Sequence, residues 1–104
     1  MAEFATNEEF YAFVDALGGR LRGGELALYG ERLHFLLHKV SWTTSSELLA
    51  ELGGVLEAAA RKAGPDTPPE SRADVQKCLA AIRSAWPGIR FTSSWQESPP
   101  NQRL

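Results

Sequence analysis

The sequence predicts an all-α domain, a small antiparallel bundle of about four helices with a short extended C-terminal tail. Three observations carry that prediction. Apolar residues recur at three- and four-residue spacing through four segments. Helix-start signals stand before three of those segments, the first, third and fourth, and Gly or Pro stands after the same three. The intervening connections are short, so sequential helices should lie side by side and run in opposite directions.

The first helix starts after Thr6 or Asn7. Thr6 and Glu9 have capping-box spacing, and Glu8 and Glu9 suit the positive end of a helix dipole. Phe10, Phe13, Val14, Leu17 and Leu21 then form one apolar face. Gly18 and Gly19 offer a left-handed stop; the alternative is a further turn that takes in Leu21 before Gly23 and Gly24.

The second helix is expected from about Glu25 to Ser41, with Leu26, Tyr29, Leu33, Leu36, Leu37 and Val40 on one broad stripe. The third begins near Thr44, which pairs with Glu47 as a second capping box. Its inward face is Leu48, Leu49, Leu52, Val55, Leu56 and Ala59. Arg61 and Lys62 oppose the negative helix end, and Gly64 and Pro65 stop the helix. Gly53 and Gly54 each cost about 1 kcal/mol relative to alanine within a helix, which points to a close approach or a kink there. The fourth helix is announced by Thr67, Pro68, Pro69 and Glu70, with Thr67 expected as the cap. Val75, Cys78, Leu79, Ile82 and Trp86 should face inward, and Pro87 and Gly88 end the helix. Beyond it, Ile89, Phe91 and Trp95 alternate with polar residues, as a short extended segment would. Residues 1–104 form one domain, with 96–104 a loose tail.

Composition narrows the function classes. The 104 residues are 43% hydrophobic and 23% charged, with a formal net charge of −2. This is ordinary globular composition, with too little positive charge for a broad nucleic-acid footprint. One cysteine, Cys78, excludes an internal disulfide. No basic-then-apolar leader opens the chain, and no apolar run approaches the ~18 residues a membrane helix needs. The expectation is a cytoplasmic protein that engages neither membrane nor nucleic acid. Its Ala, Gly and Arg usage suggests a GC-rich bacterial source.

Helix two has more apolar surface than one core needs. Leu28, Phe35 and Trp42 fall at seven-residue spacing, opposite the main stripe, with Arg32 and Lys39 on one side and Glu31 and His38 on the other. Either the tail aromatics and helix one cover these three residues, or they form the seam of a homodimer or the docking face for another protein. The functional expectation is a non-enzymatic protein–protein interaction domain, most simply a homodimer, needing no cofactor.

Two polar constellations compete with that reading. Glu31, His34 and His38 share a sector of helix two, and Glu-x-x-His is a spacing used by bundle metal sites. A metal-dependent or small-ligand enzyme would use these three. The bland reading of the same residues is a solvated face. Thr44, Ser45 and Ser46 stand at a helix start that could take an anion, although capping alone requires one hydroxyl. The Gly18–Gly24 run lacks the order of a phosphate-binding loop, and Cys78 on an apolar face reads as a small core residue.

Overall fold

The computed structural model describes residues 4–41 and 45–91. They form α1 (Asn7–Leu21), α2 (Ala27–His38), α3 (Ser45–Lys62) and α4 (Pro69–Ala85), and no strand occurs among the described residues. Each helix packs on two others, in the ring α1–α2–α3–α4–α1. The connections 22–26, 39–44 and 63–68 are short, as an up-and-down bundle needs. The expected all-α bundle is therefore the observed fold. No helix of the described residues is long and apolar enough to cross a membrane.

The core is a single cluster fed by all four helices. Phe10, Val14 and Leu17 meet Leu26, Leu33 and Leu36, and Leu49, Leu52, Val55 and Leu56 meet Val75, Cys78, Leu79 and Ile82. Each large side chain enclosed in this way contributes about 1.5–3 kcal/mol. At the start of α1 the Glu9 N–H donates to Thr6 Oγ1 (3.1 Å), and the Ala5 N–H donates back to Glu9 Oε1 (3.1 Å). Phe4 packs edge-on against Phe10 at 5.4 Å and tilted against Phe13 at 5.2 Å, under the Lys77 ammonium.

Several boundaries differ from expectation for identifiable reasons. Gly18 and Gly19 do not end α1; no described residue has positive φ, and the helix continues to bury Leu21. Gly18 lies inside the helix where α2 crosses, opposite Gly30. A Cβ on Gly30 would run into the Gly18 carbonyl oxygen and meet the Arg22 nitrogen at 3.0 Å and the Leu21 Cβ at 3.1 Å.

The second helix is shorter than expected at both ends. Glu25 is drawn away from it by the far loop. Gly64 N–H donates to Glu25 Oε1 at 2.9 Å, and the Thr67 hydroxyl donates to the same oxygen. Thr67 is thus buried as a tie between two loops rather than serving as a cap. Helix α4 instead starts one residue later, with Pro68 in the cap position and Pro69 in the first turn, where a missing N–H costs nothing.

Trp86 also departs from expectation. The backbone turns out of the helix at this residue (φ −138°, ψ 84°), so its side chain is 40% exposed rather than inward. Ile89 and Phe91 are half-buried on either side of exposed Arg90. The Phe91 ring occupies the space that a Gly53 side chain would fill, beneath the Arg83 guanidinium.

Candidate functional site

Helix α2 is the element on which the functional candidates converge. Of its expected core stripe, Leu26, Tyr29, Leu33 and Leu36 are buried, and Leu37 and Val40 are half-buried. On the opposite side, one heptad apart, Leu28 is 50% and Phe35 43% exposed. Arg32 lies over the Phe35 ring at 5.3 Å, a cation–π contact that covers part of one face. Phe91, the tail aromatic that could have covered this stripe, packs on α3 and α4 instead. Trp42 and Trp95 lie outside the described residues.

The polar sector of α2 is rearranged relative to its sequence reading. Glu31 does not join the histidines. Arg22, just past the end of α1, grips it through Nε at 2.8 Å and a terminal nitrogen at 2.6 Å. The carboxylate that meets the histidines is Asp15 of α1. Asp15 Oδ1 lies 2.9 Å from His38 Nε2 and 3.7 Å from His34 Nδ1. The two imidazole rings stand 4.4 Å apart, as residues one turn apart on a helix do.

The Gly18–Gly30 crossing explains why Asp15 arrives there. The two helices are antiparallel, so one turn back along α1 from Gly18 lies across from one turn forward along α2 from Gly30. Those positions are Asp15 and His34. Without side chains at the crossing, the backbones approach closely enough for a short aspartate to reach both rings. Asp15 carried no motif of its own. Gly30, a helix-interior glycine where alanine would be about 1 kcal/mol better, is the sequence signal that could have placed it and that the periodicity reading passed over.

Beside the cluster a shallow groove of about 270 Å³ opens between α1, α2 and the start of α3. It is lined by Tyr11, Ala12, Asp15, Leu37, His38 and Leu48. Tyr11 is one turn before Asp15, and its hydroxyl is buried without a hydrogen-bond partner among the described residues.

No protein-family model matches this sequence. No curated protein matches it, and no solved structure matches the fold. The functional reading therefore stands on the chain's own chemistry.

The remaining candidates contribute less. Thr44 lies outside the described residues, Ser45 opens α3, and Ser46 is exposed in its first turn. Nothing beyond the helix start itself points to an anion. Arg20 and Arg22 of the glycine-rich connection are both engaged, Arg20 with Asp74 at 2.8 Å and Arg22 with Glu31. A second hollow of about 150 Å³ beside Arg20, Glu25, Thr67 and Ser71 has its acidic group occupied by the loop tie. Cys78 is fully buried, and burial pushes its thiol up to about 12, far from nucleophilic use.

Proposed function

We propose that this chain is a non-enzymatic helical interaction domain that pairs with a second copy of itself through the outer face of α2. The observation that carries the reading is the exposure of Leu28 and Phe35 on one line, directly opposite a filled core stripe. Flanking charge supports self-pairing. Arg32 and Lys39 border the line on one side, and Glu31 and His38 on the other. If two α2 helices run parallel about a twofold axis, the basic edge of each faces the Glu31 edge of its mate.

The magnitudes limit how strong this pairing is. Only two partly exposed side chains per chain are covered, and the lost freedom of association offsets much of what their burial contributes. The expected dimer is therefore transient and concentration-dependent. A lone, buried thiol suits a cytoplasmic setting, and the net charge of −2 gives no reason to invoke nucleic acid.

Sedimentation velocity over a concentration series up to about 1 mM, where an association worth about 4 kcal/mol is half-populated, tests the proposal. The wild type should shift from monomer towards dimer, and Phe35→Glu should remain monomeric with an unchanged helical circular dichroism spectrum. A wild type that stays monomeric throughout, or a Phe35→Glu chain that dimerises equally, overturns it.

A further inference from the structure

We propose that Asp15, His34 and His38 form a binding site for a first-row divalent transition metal, Zn²⁺ being the ion whose chemistry fits best, at the seam between α1 and α2. This inference is independent of self-association and concerns a different sector of α2.

Geometry is the first support. One ligand atom from each residue falls within 4.8 Å of the other two. Zinc–ligand bonds of about 2.0–2.2 Å place the ligands of a tetrahedral ion about 3.3 Å apart. The Asp15–His38 and Asp15–His34 separations, 2.9 and 3.7 Å, bracket that value. Both imidazoles project from one helix at i and i+4, and the carboxylate comes from a neighbour held by the glycine crossing, so the backbone frame is already assembled.

Ligand chemistry selects the metal. Two neutral imidazoles and one carboxylate suit Zn²⁺ and its first-row neighbours. Mg²⁺ and Ca²⁺ prefer all-oxygen sets. His38 Nε2 and Asp15 Oδ1 share a hydrogen bond at 2.9 Å; with an ion bound through Nε2, the imidazole proton resides on Nδ1 and the carboxylate binds the metal instead. The side chains are 35–45% exposed, so the ion enters without local unfolding.

A second, independent observation points the same way. Three protein ligands leave a coordination position open, as at catalytic rather than structural zinc. The groove of about 270 Å³ shares Asp15 and His38 with the cluster, so it gives a fourth ligand access to them; Tyr11, whose hydroxyl is buried without a partner among the described residues, also lines it. Glu31 has no part in the site because Arg22 holds it.

The test uses the full chain without an affinity tag, titrated with Zn²⁺ by calorimetry and with Co²⁺ by visible absorption. One ion per chain with micromolar affinity is expected, together with the d–d bands of four-coordinate Co²⁺ and a rise in melting temperature. Removing a ligand should cost at least what removing an outer-shell partner does, about 10–100-fold in affinity. His34→Ala, His38→Ala and Asp15→Asn should all weaken binding to that extent, and Glu31→Gln should bind as the wild type does. All four positions are partly or fully exposed, so circular dichroism should report folded proteins. Absence of zinc binding in the wild type overturns the proposal. So does binding that survives His38→Ala, or that falls as far in Glu31→Gln as in Asp15→Asn.

Discussion

Cys78 has no solvent exposure, and burial, with Asp74 adding repulsion, raises its thiol to about 12. Two conditions for alkylation, access and thiolate, are thereby withheld in the native state. The residue can react only when α4 detaches from the core. For a domain stable by about 5–10 kcal/mol, labelling that requires global opening is slowed by roughly 10³-fold or more. Iodoacetamide at pH 8 should therefore leave the native chain unmodified over an hour and label it stoichiometrically in denaturant. Complete labelling of native protein within minutes would mean that α4 opens locally. This residue was legible from its place on an apolar face. Trp86 was not: it continues the same helical spacing, but Pro87 removes the α-helical conformation from the residue before it, and the backbone turns Trp86 towards solvent.

At the scale of the helix pair, the two glycines at the α1–α2 crossing have unequal roles. A Cβ on Gly18 would sit 3.3 Å from the Gly30 carbonyl oxygen and 3.4 Å from Leu33 Cβ, a tight but adjustable fit. A Cβ on Gly30 collides with backbone, which cannot rotate away. Alanine gains about 1 kcal/mol of helix propensity at either position. Gly18→Ala should therefore fall within about 1 kcal/mol of the wild type. Gly30→Ala, with overpacking that typically costs about 1–3 kcal/mol or more, should be clearly destabilised. Chemical denaturation of both variants measures the difference; equal stabilities would remove the crossing from the account. Gly30→Ala should also lower zinc affinity, because it moves Asp15 away from the histidines. The same crossing marks the limit of sequence reading. Helix existence and inward faces followed from periodicity, which is local. The match of Asp15 with His34 and His38 follows from the register of two helices, and register is set by where the backbones can touch. Glu31 had the better spacing to the histidines, yet a guanidinium on the preceding connection outcompeted them for it.

Across the whole molecule, the α1–α2 and α3–α4 connections are tied at one end of the bundle by Glu25. Its carboxylate accepts from the Thr67 hydroxyl and the Gly64 N–H, and these two bonds, in that order of weight, hold it below its usual value of 4.5, with Lys62 and Arg72 adding attraction. The sign of the consequence follows from linkage. A carboxyl that is more acidic in the folded chain than in the unfolded one contributes stability above its unfolded value, and that contribution is lost as pH falls from about 4.5 through the lower folded value. Glu25→Gln preserves the shape and an accepting oxygen but removes the charge. At pH 7 the variant should melt below the wild type. As pH is lowered through 4.5 the two melting temperatures should converge, because the wild-type carboxyl becomes neutral as well. A gap that stays constant from pH 7 to pH 3 would show that the tie acts through shape alone. A gap that widens on acidification would require the folded carboxyl to be less acidic than the unfolded one, contrary to its two donors. The tie also accounts for the late start of α2 at Ala27. A helix beginning at Glu25 would withdraw this carboxylate from the far loop, and the two helical hairpins would then keep at that end only apolar packing and the Arg20–Asp74 ion pair among the contacts described.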